Sequence, residues 1–264
     1  RNRCWEGCPF GGYFSTQSST LPAAMKTNNL TVRPLSYVTK ILYNKDTKKA
    51  TGVEVLDTMD NKTYEYKAKI VFVCASALNS TWLLFNSATD IWPGGLGSSS
   101  GELGHNVMDH HYNLGASGDI DGYENFTEYG RRPAGFYISR FANIPGDNKQ
   151  RNFVRGYGYQ GSASRQGWSR TIAEMNIGAS LKEALSEPGG WRMGATGFGE
   201  VLPYHENKIS LDKTVKDKWG LPTLNIDCAY RDNEKKMRLD IAARAAEMLE
   251  AAGLHLGRRR RRCL

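Results

Sequence analysis

A nearly continuous apolar run, Lys69 to Ala75 (KIVFVCA), most constrains what this chain can fold into, because it stops in the compact residues Cys74-Ala75-Ser76-Ala77. Apolar at both alternating sets of positions, the run predicts a parallel strand buried on both faces. Small side chains at its end predict an elbow where a ligand can approach the backbone. Asn79 to Ser87 (NSTWLLFNS) then has helical length and spacing, Pro93-Gly94-Gly95 breaks the chain, and Leu103 to His111 (LGHNVMDHH) follows.

Upstream, Leu30 to Tyr43, Ala50 to Thr58 and Thr63 to Ala68 alternate as strands do, with turn residues at Asn44 to Lys49 and Asp60-Asn61-Lys62. They predict a β-meander feeding into the apolar run. From Tyr112 to about Pro203, glycine and aromatic residues become dense and short alternating runs predict antiparallel sheet, with one or two helical turns in Thr171 to Leu185. Tyr157, Tyr159, Trp168 and Trp191 have two readings there, a sugar-stacking surface or sheet core. Pro222 to Tyr230 reads as a strand. Asp232 or Asn233 then N-caps a helix to Ala252, with Met237, Ile241, Ala245, Met248 and Ala252 on its buried face and Gly253 as its stop.

The order of strand, elbow, helix, Gly-rich turn and G-x-N-x-M-D-H resembles the glucose-methanol-choline (GMC) family of FAD-dependent alcohol oxidoreductases, in particular its bacterial sugar and gluconate dehydrogenase-like branch. Cys8 to Ala24 (CPFGGYFSTQSSTLPAA) and Glu206 to Asp212 (ENKISLD) extend the likeness, which runs from Cys4 to about Gly253. The resemblance implies an α/β (α+β) fold: part of an FAD-binding dinucleotide fold with a β-meander crossover, joined to an antiparallel-sheet substrate domain. It implies an FAD-binding portion over 1–111, a substrate domain over 112–230 and an amphipathic helix over 231–253. It further implies FAD contacts at Cys74, Ala75, Ser76 and Ala77 and a backbone contact to the adenine at Val38. The activity implied is oxidation of a CH–OH group of a sugar or polyol, with an electron-acceptor subunit as a possible partner. A complete member also has a strand, a G-x-G-x-x-G turn and a helix that cradle the pyrophosphate, and a late His-x-x-Gly-Thr segment that carries the catalysis. The sequence reading finds neither in these residues, so the chain reads as the middle of a longer protein that is inactive alone, with no catalytic residue assigned.

Charge and cysteines set the competing readings. Of the formal charge of +8, Arg258 to Arg262 supply five, so the rest of the chain carries only +3. The Arg-rich tail, 254–264, is either a basic arm for an anionic partner or an out-of-frame ending, and the second is the expectation because the family likeness stops before it. A basic-tailed nucleic-acid-binding module, or an assembly module without catalysis, is the alternative class, and no nucleic-acid partner is expected. Cys4, Cys8, Cys74, Cys228 and Cys263 form neither a disulfide framework nor paired metal-binding units. Asp109, His110 and His111 are adjacent in an extended segment and so cannot all converge on one ion; they read as support for the cofactor pocket, and no metal is assigned. Ser98 to Ser100 fall in a Gly/Ser turn, which sets a serine hydrolase aside. No apolar run approaches the roughly 20 residues of a membrane span. A soluble protein of the bacterial cytoplasm or periplasm is expected.

Overall fold

Alternation and turn chemistry build the first sheet. In a computed structural model, which describes residues 12–111, 113–126, 135–140, 142–146, 151–167, 178–187 and 189–256, three strands, β1 (Ser36–Asn44), β2 (Lys49–Asp57) and β3 (Lys62–Lys67), pair antiparallel in the order β1-β2-β3. Asn44 makes the first turn by accepting the backbone N–H groups of Asp46 and Thr47 on its side-chain oxygen (3.0 and 2.9 Å). β1 starts six residues later than the alternation predicts. Pro34 has no N–H to give a ladder and Leu35 sits at φ +58°, so the extended backbone is interrupted just before Ser36.

The first compact unit comprises Ser19–Met108 with Leu202–Ala229. Besides the meander and the short α1 (Thr20–Met25) it holds α2 (Ser76–Asn86), a 3-10 turn at Ser98–Ser100, and a hairpin of β8 (Lys208–Lys216) and β9 (Pro222–Asp227). Its core is a cluster of Ile41, Trp82 and Leu83, flanked by Tyr37, Val38, Leu211 and Leu224. The indole N–H of Trp82 donates to the Pro222 carbonyl (2.6 Å), and buried Ser87 links Leu83 O to the Ile41 N–H. Thus 202–229, which the sequence reading groups with 112–230, packs with the first unit.

The second unit comprises the described residues within 109–201 and 230–256, together with 12–18. Its sheet has the order β10-β4-β7-β6-β5, from β4 (Gly115–Ile120), β5 (Phe136–Ile138), β6 (Tyr157–Arg165), β7 (Trp191–Gly199) and β10 (His255–Leu256), and every pairing is antiparallel. The short α3 (Ala179–Ser186) lies in the connection to β7. The helix α4 (Asp232–Ala251) buries Met237, Ile241, Ala245 and Leu249 against Tyr157, Tyr159 and Ala195. Its N-cap position is Arg231, whose N–H donates to the Glu234 carboxylate (3.0 Å), in place of the expected Asp232 or Asn233. Ala252 is exposed and Leu249 takes the buried place. Among the described residues, no helix is long and apolar enough to cross a membrane.

The run Lys69 to Ala75 departs most from expectation. It is neither a strand nor buried: Ile70 is 69% and Phe72 81% exposed. A parallel strand is a property of its neighbours as much as of its own residues, and among the described residues no strand pairs with this segment. The mixture of helices and antiparallel sheet is as expected; the described strands include no parallel pair.

Candidate functional site: the elbow before α2 and the segment after it

The small residues of the expected elbow lie at the entry to α2, and the strand expected before them is absent. Cys74, Ala75, Ser76 and Ala77 are all exposed, and α2 begins at Ser76, three residues before the predicted start. Ala75, at the N-cap, offers no side-chain oxygen, and no acidic residue lies in the first turn, so no side chain caps the helix. Those N–H groups, at the positive end of an 11-residue helix, suit an anionic or hydrogen-bond-accepting ligand group, and the small side chains leave room for it. Ser76 sits at φ +67°, in the left-handed region that a residue with a Cβ adopts at a cost of about 1–2 kcal/mol. Val38 lies half-buried on β1 opposite Val55, with its side chain against the Ile41, Trp82 and Leu83 cluster. The register slips between Val38 and Lys40, so Thr39 forms a bulge beside it, and its hydroxyl donates to the Glu54 carboxylate (2.8 Å).

These donors and small residues fit one wall of a dinucleotide site. They do not make a pyrophosphate cradle. Gly156, Gly158 and Gly161 have the G-x-G-x-x-G spacing, but they run into and along β6, whose backbone is committed to the ladders with β5 and β7, and no helix starts there. Likewise Gly97 to Gly101 (GSSSG) has the G-x-S-x-G spacing of a serine nucleophile, but its serines form a 3-10 turn and not the strand-to-helix elbow that such a nucleophile needs.

Downstream, the G-x-N segment is tied to the start of the β8–β9 hairpin. The Ile209 N–H donates to Gly104 O (2.7 Å) and the Val107 N–H to Asn207 O (3.0 Å). Gly104, at φ +86°, is obligatory: a Cβ there would lie 2.5 Å from Ile209 O and 2.6 Å from the Phe85 ring. The His105 and His205 rings stack at 3.9 Å, and His105 Nδ1 donates to His205 O (2.7 Å).

Asp109, His110 and His111 separate, as an extended backbone requires. Asp109 and His110 are exposed, and the Asp109 carboxylate accepts the His110 N–H (2.7 Å). His111 is wholly buried, its N–H bonded to Gly199 O (3.2 Å), its ring 5.3 Å from that of Tyr230. Gly199 is the space that admits it, since a Cβ there would lie 3.0 Å from Nδ1. Both ring nitrogens are buried without a well-formed hydrogen bond. Burial, then the Arg238 charge, depresses the pKa to about 4; Glu234 and the Glu200 backbone favour the proton and are outweighed. Among the described residues, no three His, Cys, Asp or Glu side chains are placed to hold a metal ion.

Of the aromatic residues with two readings, Tyr157 and Tyr159 are core. Tyr157 donates to the Asp240 carboxylate (2.5 Å) and Tyr159 to Ile241 O (2.6 Å), and burial pushes both phenols up. Trp191 is half-buried and donates to Tyr123 O (2.8 Å), and Trp168 lies outside the described residues, as do Cys4, Cys8, Cys263 and Arg258 to Arg262. Alternation turns the other residues of these strands away from α4. Tyr137, Gln160 and Thr196 pair across β5, β6 and β7 as one polar row on that opposite face, with Tyr137 68% exposed. Sequence reasoning missed the row, though the same alternation that buries Tyr159 assigns Gln160 to the opposite face.

Residues 2–112 match the family model described as GMC oxidoreductase. Over 195 residues, 70% of this chain, the sequence is 32% identical to 2-methyl-1,2-propanediol dehydrogenase of Mycolicibacterium austroafricanum, covering 34% of that protein. Over 224 residues, 84% of the chain, it is 25% identical to the fructose dehydrogenase large subunit of Gluconobacter japonicus, covering 39% of it. The matches therefore span little more than a third of either relative's length.

Proposed function

We propose that this chain, whose residues 2–112 match the GMC oxidoreductase family model, is part of an FAD-dependent enzyme that oxidises a CH–OH group of a sugar or polyol. The FAD, when bound, supplies the hydride acceptor at its flavin N5. This chain's residues bind and orient. The uncapped N-terminus of α2 and the small elbow Cys74 to Ala77 face the cofactor, with Val38 presenting its backbone to the adenine. The polar row Tyr137, Gln160 and Thr196, on the sheet face away from α4, faces the alcohol and sorts its hydroxyl groups. The names of both relatives support this class, one being a diol dehydrogenase and the other a fructose dehydrogenase. That the second is named a large subunit supports a separate electron-acceptor subunit as the physiological partner.

The observation that carries the reading is the exposed, uncapped helix N-terminus behind an elbow of small residues, inside the segment that matches the family. In the full-length protein, Ala75→Trp is expected to abolish flavin retention while circular dichroism stays at the parent level. A variant that purifies yellow with the parent's flavin stoichiometry overturns the assignment.

A further inference from the structure

Between α2 and Gly104 the chain folds around a cleft of about 410 Å³, lined among others by Ile91, Trp92, Pro93, Ser98, Ser99 and Leu103. That volume lies within the roughly 300–1,000 Å³ of small-molecule sites. The loop is held by its own backbone: Gly95 N–H to Trp92 O (3.0 Å), Leu96 N–H to Leu84 O (2.8 Å), Ser98 N–H to Gly95 O (3.2 Å) and Gly101 N–H to Ser98 O (3.0 Å). Its shape is therefore set before any ligand arrives. No lining residue carries a charge. Among the described residues the Ser98 and Ser99 hydroxyls have no hydrogen-bond partner, so both remain available to a ligand. The indole N–H of Trp92 is buried and also without a partner, an unmade bond that stands as a cost to the loop.

We propose that this cleft binds a neutral six-membered sugar ring, with the indole of Trp92 and the side chains of Ile91 and Leu103 against the ring's C–H face and the Ser98 and Ser99 hydroxyls on its hydroxyl groups. An aromatic surface bordered by uncommitted hydroxyl groups matches a molecule that is apolar on one face and hydroxylated at its rim. The lack of a cation in the lining excludes phosphorylated and carboxylated sugars, whose charge would be left without a partner. The inference does not rest on the dehydrogenase reading, because it concerns binding to this chain and no redox step.

The test is a titration of the chain with methyl glucoside and, separately, glucose 6-phosphate, followed by the indole N–H resonance of Trp92 in nitrogen-15 spectra. The neutral sugar is expected to shift that resonance saturably with a millimolar dissociation constant, and glucose 6-phosphate to leave it unmoved. Trp92→Leu, followed through the amide resonances of Gly94 and Gly101, is expected to weaken binding at least tenfold, and the pair Ser98→Ala with Ser99→Ala about tenfold, each with an unchanged unfolding midpoint. Absence of saturable shifts up to about 100 mM, equal binding to the serine-pair variant, or equally tight binding of the phosphate ester overturns the proposal. Should Trp92→Leu unfold, the serine pair decides. Failure here leaves flavin chemistry untouched, since no flavin enters the measurement.

Discussion

Acid should destabilise this protein through His111 specifically. The imidazole is wholly buried against Gly199, Tyr230 and α4, and its pKa falls from 6.5 to about 4 through burial first and Arg238 second. The folded state thus binds the proton less readily than the unfolded chain, and stability is fully present above about pH 6.5 and lost as pH falls toward 4. At about 1.4 kcal/mol per pK unit, the loss is about 1 kcal/mol by about pH 5.5 and approaches about 3 kcal/mol below about pH 4. His111→Leu removes the titration and the two unpartnered ring nitrogens together. Its stability near neutral pH should therefore stay within about 1 kcal/mol of the parent, because replacing an unsatisfied polar group by an apolar one of similar size is nearly neutral. Urea unfolding of parent and variant at steps between about pH 7.5 and about pH 4.5 measures the difference, in which every other titrating group cancels. The variant should gain on the parent by about 2–3 kcal/mol across that range. Parallel loss of stability in the two proteins, or a His111 resonance titrating near 6.5, refutes the reasoning.

Ile241→Ala should cost about 2–5 kcal/mol in the same urea assay, because Ile241 is fully buried in the α4 core and the cavity cannot be refilled without moving Tyr159 and Gly197. Ser76→Gly should leave stability unchanged within about 1 kcal/mol, whereas Ser76→Val should cost about 1–2 kcal/mol more, since only glycine adopts φ +67° freely and a β-branched residue resists it. Fluorescence titration of FAD into this 264-residue chain alone should show no micromolar binding, because its one G-x-G-x-x-G string runs into a strand and supplies no cradle. Deleting Arg258 to Leu264 from the chain should change neither its folding nor its ligand binding, whereas a drop in salt-dependent affinity for nucleic acid would revive the basic-arm reading.

Local chemistry made most of the fold legible. The meander could be read because alternation, the Asn44 turn and the Asp60-Asn61 turn all point to the same strands, and α4 because its apolar positions recur at helical spacing. What escaped depends on partners far along the chain. Lys69 to Ala75 has the composition of a buried strand, but composition states what a segment favours and not which neighbour is present to pair with it. The hairpin Lys208–Asp227 packs with the first unit through long-range ties such as Trp82 to Pro222, which no periodicity encodes. Of the site, the small residues at 74–77 were legible from residue size, while the distinction between exposed His110 and buried His111 rests on Gly199 and α4, and the choice between the two readings of Tyr157 and Tyr159 on Asp240 and Ile241. One motif string was passed over in the sequence and is harmless in the fold: the glycines at 156, 158 and 161 have the nucleotide-binding spacing in an antiparallel strand.

The central claim is that these residues belong to an enzyme that passes a hydride from a polyhydroxylated substrate to FAD. Anaerobic mixing of the full-length protein with glucose, fructose, gluconate and a series of polyols, followed by flavin absorbance, tests it most directly. The account predicts that the protein purifies with FAD, that at least one of these compounds bleaches the oxidised flavin band, and that Gln160→Ala or Thr196→Ala slows the bleaching without loss of flavin. A full-length protein that carries no flavin, or whose bound flavin stays oxidised with every such alcohol while a chemical reductant bleaches it, contradicts the account.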